Sequence, residues 1–159
     1  MLNLTLIAVG NLKEAYLRDA AAEYEKRLQA YCKPQVIALK ETRLSDTPSA
    51  GEIATALAAE GKQILAAIPP KAYRIALCVE GKQLSSEELA ERLGQIGQTH
   101  GAVCFIIGSS YGLAPEVKAA SDLRLSVSKL TFPHQLMRVL LLETAYRSLG
   151  ILAGSKYHK

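Results

Sequence analysis

Apolar positions along this chain fall into two alternating kinds of stretch. Leu2–Val9, Gln35–Leu39, Tyr73–Val79, Ala102–Ile107 and Leu123–Val127 are short, largely unbroken apolar runs rich in β-branched residues. Runs of that kind belong to strands buried on both faces. Between them, Lys13–Tyr31, Ala50–Ala67 and Ser85 to about Gln98 place apolar residues at helical spacing, and Pro115–Ala120 reads as a short helix. The punctuation agrees. Gly10 ends the first strand, with Asn11 positioned to cap the first helix, and Pro69-Pro70 closes the second helix. Gly81 is expected to turn the chain after the third strand. Ser85-Ser86-Glu87-Glu88 is a capping box, Ser85 capping and Glu88 reaching back. Lys40–Ser49 is polar and contains Pro48, so it is a loop, with Lys40, Glu41 and Arg43 facing solvent or phosphate. Strands alternating with helices predict an α/β fold, a parallel sheet of about five strands covered on both faces.

The last helix is unlike the others. Within Leu125–Gly150 a short strand and a polar turn lead into a segment that is apolar nearly all round. A helix of that kind is buried, in a core or in a subunit interface. Pro133 suits its first turn and Thr131 its N-cap. It carries four charged or titratable side chains: His134 and Arg138 share a face, and Glu143 and Arg147, also four apart, are spaced to pair.

Composition adds bounds. The 159 residues suit one domain with one core, 1–159. A net charge of +4 permits an anionic partner such as RNA without demanding one. Cys32, Cys78 and Cys104 are far apart, two of them in strand runs, so they read as buried reduced thiols, and no metal-ligand spacing occurs. MLNLTLIAVG lacks the basic flank of a signal peptide, and no apolar run approaches the ~20 residues needed to cross a bilayer. The expectation is a cytoplasmic protein without a membrane or metal partner.

In an open parallel sheet, ligands bind at the carboxyl ends of the strands. The loop after the first strand has no G-x-G-x-x-G, which excludes a dinucleotide half-site there. Glycines cluster later, at Gly81, Gly108 and Gly112, and place the site in the C-terminal half. GILAGSK (150–156) superficially matches a phosphate loop, but its spacing is wrong and it follows a helix. Gly108-Ser109-Ser110-Tyr111-Gly112 fits the G-x-S-x-G of a hydrolase elbow, with Asp122 and His134 following in the order of a triad. Against a serine hydrolase, only one strand follows the elbow and no HGGG-like oxyanion segment precedes it.

FIIGSSYGL (105–113), LSVSKLTFPHQLMRVLLLETAYRS (125–148) and KYHK (156–159), together with LIAVGNLKE (6–14) and LCVEGKQLSSEE (77–88), closely resemble the ribosomal RNA large subunit methyltransferase H family, of the SPOUT class. The resemblance spans the chain. It implies a deep trefoil knot in the C-terminal part, with the cofactor site within about 73–159. It also implies S-adenosylmethionine as methyl donor, a homodimer, and methylation at N3 of a pseudouridine in 23S rRNA on the assembled ribosome. Carried over residue by residue, cofactor contacts fall on Leu77, Gly108, Val127, Ser128, Lys129, Leu130, Thr131 and Phe132. Ser109 stands where the family usually has a second glycine; a positive φ there would strain the loop and weaken cofactor binding. His134 is the best-placed titratable group to remove the N3 proton, and Arg138 could stabilise the developing anion. The resemblance places Tyr157, His158 and Lys159 near cofactor or RNA, although a tail ordinarily frays. Lys13, Arg18, Arg43 and Lys82 are candidate RNA contacts. A third reading is a non-enzymatic RNA- or ribosome-binding module with a vestigial pocket.

Overall fold

The computed structural model describes all 159 residues. In chain order it contains β1 (Leu2–Val9), α1 (Ala15–Leu28), β2 (Cys32–Leu39), α2 (Ala50–Ala67), β3 (Tyr73–Lys82), α3 (Ser86–Thr99), β4 (Ala102–Ile107), α4 (Pro115–Ala119), β5 (Leu123–Leu125) and α5 (His134–Leu152). The five strands form one sheet in the order β2-β1-β4-β3-β5, every pairing parallel.

The apolar runs explain the layers. Alternate side chains of a strand face opposite sides. Leu4, Leu6 and Ala8 of β1 with Val103, Phe105 and Ile107 of β4 pack on the side of α1, α3 and α5. Ile7, Val9, Cys104 and Ile106 pack on the other, against Ile64 of α2 and Val117 of α4. Both faces are covered, as the unbroken runs predict.

Several boundaries differ from expectation, each for a physical reason. β2 begins at Cys32 and runs through Pro34; it is an edge strand, where a proline removes no ladder bond. Asn11 does not cap α1, which starts at Ala15 behind Glu14 with no side-chain cap. Gly81 does not turn the chain. It lies inside β3, where a Cβ would stand 2.8 Å from the backbone of Arg124 and Leu125, so the missing side chain permits a close backbone approach. Thr131 is not the N-cap of α5 and Pro133 is not in its first turn: the helix begins at His134, and Pro133 is itself the N-cap residue with extended ψ (137°). The capping box at Ser85 and Glu88 is present, and Ser49 with Glu52 forms a second one at the start of α2.

Candidate functional site

Parallel strands put all their carboxyl ends at one edge of the sheet. There the segments following β3, β4 and β5 enclose a cavity of about 680 Å³, within the range of small-molecule sites. Its walls are Leu77–Glu80, Ile107–Leu113, Leu125–Ser128, Leu130–His134, Lys118 and Met137. Of the eight residues carried over as cofactor contacts, seven line it (Leu77, Gly108, Val127, Ser128, Leu130, Thr131 and Phe132); Lys129 does not.

The loops are shaped by their own polar groups. Ser126 N–H donates to Lys82 O (2.9 Å), tying the last loop to the end of β3. Ser126 Oγ donates to Ser128 O, and Leu130 N–H donates to Ser128 Oγ, both at 3.0 Å. These bonds fold the loop so that Val127 and Leu130 face the opening, Leu130 being 72% exposed. Gly112 N–H donates to Ser109 O (2.9 Å), closing the turn after β4. A Cβ on Gly108 would lie 2.1 Å from Gly112 O, so any side chain at the first position forces this turn open. Ser109 is not strained: Lys71 is the only non-glycine residue with positive φ. Instead Ser109 is buried, and its Oγ donates to Oε1 of the buried Glu60 at 3.0 Å.

Half-buried His134 lines the cavity, with Cys78, Glu80, Tyr111 and Lys118 as the other titratable residues on its wall. Lys118 Nζ lies 2.5 Å from Glu80 Oε1, and this hydrogen bond holds the Glu80 carboxyl below its usual range. No three His, Cys, Asp or Glu side chains are grouped as metal ligands, and no helix is long and apolar enough to cross a membrane.

Arg138 does not share the cavity with His134. It is buried, its Nη2 donates to Gly10 O at 2.6 Å, and its Nε has no partner. Burial pushes its pKa down, partly offset by Glu25 nearby. Its guanidinium points at the end of β1 instead, where Lys13 N–H donates to Gln135 Oε1 (3.0 Å). Both bonds fasten the first turns of α5, and so His134, to the β1–α1 loop.

The tail is ordered, but elsewhere. Glu143 and Arg147 pair as their spacing predicts (2.6 Å). Tyr157 OH donates to Glu143 Oε1 (3.1 Å), its ring stacks edge-on against Tyr146, and Arg147 lies over it. Burial, with Tyr24 and Glu143 alongside, pushes the Tyr157 phenol up to about 12. His158 bridges Arg147 and Glu87. None of Tyr157, His158 and Lys159 lines the cavity.

The hydrolase triad is not assembled. Asp122 precedes β5 and accepts from Arg74 N–H (2.8 Å) near the start of β3. That is the amino edge of the sheet, opposite Ser110 and His134. Among the RNA candidates, Arg18 is spent on the carbonyls of Leu12 and Lys13. Lys13 and Arg43 line a second, polar cavity of about 820 Å³ past β1 and β2, which shares Ser109–Tyr111 with the first. Sequence reasoning did not single out Glu60. It is one of two acids in an Ala-rich helix, and only its partners distinguish it.

A family model described as "Predicted SPOUT methyltransferase" matches residues 2–158. The chain is 48% identical over 160 residues to a protein of Bifidobacterium adolescentis named ribosomal RNA large subunit methyltransferase H, covering 99% of this chain and 100% of that one. A protein of the same name from Clostridioides difficile is 43% identical over 159 residues, with the same coverage. Among solved structures, a probable methylase family protein from Haemophilus influenzae Rd KW20 superposes with a TM-score of 0.56 at 12% identity, covering 99% of this chain and 71% of that chain. The tRNA (m1G37) methyltransferase from Aquifex aeolicus gives 0.55 at 12% identity, covering 91% and 69%; these two show likeness of fold. With a family model matched almost end to end and relatives this similar over their whole length, the chain belongs to the SPOUT methyltransferases, in the ribosomal RNA large subunit methyltransferase H family.

Proposed function

We propose that this chain methylates N3 of a pseudouridine in 23S rRNA. It does so on the assembled ribosome in the cytoplasm, as a knotted homodimer using S-adenosylmethionine. The observation that carries the reading is the cavity at the ends of β3, β4 and β5, which gathers seven of the eight expected cofactor residues. Its chemistry suits that cofactor. Leu77, Val79, Val127 and Leu130 offer apolar surface to a purine and ribose, and Val79 and Leu130 are exposed at 57% and 72%. Lys118 and Glu80, of opposite charge, suit the carboxylate and ammonium of an amino-acid end. Gly108, lacking Cβ, lets the turn that forms this wall close tightly against Gly112.

When bound, the cofactor supplies an electrophilic methyl on a sulfonium. The chain's own work is to position the target and remove its N3 proton. His134, the only imidazole on the wall, accepts that proton. Exposed Tyr111 presents a ring at the cavity mouth for a base to stack on. Arg138 holds the first turns of α5 in place rather than touching the base. Tyr157, with its phenol near 12, stays protonated at neutral pH and donates a hydrogen bond rather than acting as a base. Since the tail is held along α5 away from its own cavity, it serves the cavity of the other subunit.

The test is transfer of labelled methyl from S-adenosylmethionine to ribosomes that lack the modification, followed by nuclease digestion and mass analysis. Label in a single 3-methylpseudouridine of 23S rRNA is expected, abolished in Gly108→Trp and slowed by at least tenfold in His134→Ala. Ribosome binding without transfer would instead support a non-enzymatic module, and label at another nucleoside would sink the assignment of the target.

A further inference from the structure

We propose that Glu60 is a positioning residue for the cofactor cavity, holding the turn after β4 in its binding form through Ser109. The proposal rests on reading that cavity as the S-adenosylmethionine site. Glu60 lies on α2, outside the cavity wall, and is 4% exposed. No cation pairs with it. Its two oxygens are used separately: Oε2 accepts from Thr42 N–H and Oε1 from Ser109 Oγ, both at 3.0 Å. A buried carboxylate without a cation is a poor device for stability alone, because an apolar residue of similar size is often neutral or better. What this one does is join two loops, the one after β2 and the one after β4, at the edge where ligands bind.

Its own position is fixed by close packing. The next residue, Gly61, lets α2 approach α4 closely. A Cβ there would sit 3.1 Å from Ala114 Cβ and 3.4 Å from Val117 Cγ2. Ala114 immediately follows the turn 108–113, so the carboxylate is anchored against the same segment it holds. Ser109 is adjacent to Gly108, whose backbone forms the cavity wall. Apart from the Glu60 bond, the turn is closed only by Gly112 N–H to Ser109 O. A serine side chain at this position therefore replaces the freedom of a second glycine with a fixed link.

The test is calorimetric binding of S-adenosylhomocysteine to the full chain, its Ser109→Ala, Glu60→Leu and Glu60→Gln variants, and the Ser109→Ala/Glu60→Leu double variant. Loss of the link, a hydrogen bond to a charged group, is expected to weaken binding about tenfold in Ser109→Ala and in Glu60→Leu. The double variant is expected to be no weaker than the worse single, since both remove one link. Glu60→Gln is expected to stay within about threefold, because its amide can accept from Thr42 and donate to Ser109 Oγ. In Ser109→Ala the KM for S-adenosylmethionine is expected to rise while the KM for ribosomes holds. Binding unchanged in Ser109→Ala overturns the proposal, as do additive losses in the double variant. If Glu60→Leu does not fold, Ser109→Ala against Glu60→Gln decides alone. A natural chain that binds no S-adenosylhomocysteine overturns the site reading as well, whereas natural binding with unaffected variants overturns only the role of Glu60.

Discussion

Replacing Gly108 by alanine tests the cavity with a single methyl group. The backbone at Gly108 has no positive φ, so an alanine meets no conformational penalty there. The conflict is spatial. The added Cβ would lie 2.1 Å from Gly112 O, 2.6 Å from Gly112 C and 3.0 Å from Leu113 Cδ2. Carbon and carbonyl oxygen ordinarily approach to about 3.3 Å, so the turn must open by about 1 Å. The opposing atoms are backbone and cannot rotate away. Overpacking of this kind costs about 1–3 kcal/mol of stability, and a displacement of about 1 Å at a positioned site costs on the order of 10²-fold in function. Calorimetry with S-adenosylhomocysteine should therefore show roughly 100-fold weaker binding, about 2.7 kcal/mol, with a fold that survives by circular dichroism. Gly112→Ala is the control: its Cβ would meet nothing within 4 Å, but φ is +90°. It should lose about 1–2 kcal/mol of stability through backbone strain alone. Gly108→Ala binding the ligand as tightly as the natural chain would show that the turn is not part of the site.

The same geometry sets outcomes elsewhere in the chain. Burial pushes the Cys32 and Cys104 thiols up to about 11 and about 12; raising the pH from 7.5 to 9 should leave both unreactive to a disulfide reagent in the folded chain. Half-buried Cys78 lines the cavity, so it should be the one thiol that titrates without denaturant, and S-adenosylhomocysteine should protect it. Arg138→Leu removes a charge-assisted bond to Gly10 O and should lower stability by about 1.5–3 kcal/mol; a loss of activity without a loss of stability would return Arg138 to the reacting atoms. If each tail serves the other subunit, mixing Gly108→Trp with a chain truncated before Lys156 should restore about a quarter of the natural activity, since half the dimers are mixed and each then has one complete site; no recovery would place the tail in its own subunit's site.

The strands were legible because a sheet covered on both faces makes their middles largely apolar; β4, at the centre, matches its apolar run end to end. The capping box at Ser85 was legible because its chemistry is local. What escaped depended on partners distant in sequence. Gly81 looked like a turn because nothing nearby reveals that the backbone of Arg124 and Leu125 crosses against it. Ser109 looked strained because the hydroxyl that accounts for it bonds to an acid 49 residues away. Helical spacing put His134 and Arg138 on one face, correctly. It could not show that a long, flexible arginine side chain would turn back to a carbonyl 128 residues earlier.

The arrangement of α5 limits what one chain can do. By the helical rise of 1.5 Å per residue, Glu143 lies about 14 Å and Arg147 about 20 Å along the axis from His134. The helix cannot shorten that span by bending, because α1 and α3 both pack along it. Tyr157 and His158 are held at the far end by Glu143, Arg147 and Glu87, with Tyr146 against the Tyr157 ring. To reach its own cavity the tail would have to leave four partners at once and expose the faces of two tyrosines. A second copy of the chain avoids that loss. In the proposed homodimer it brings its own tail, still held by the same partners, to the cavity mouth where Val127 and Leu130 are exposed. A chain with this cavity at the start of α5 and its polar tail held farther along has more to gain from the proposed pairing than from rearranging.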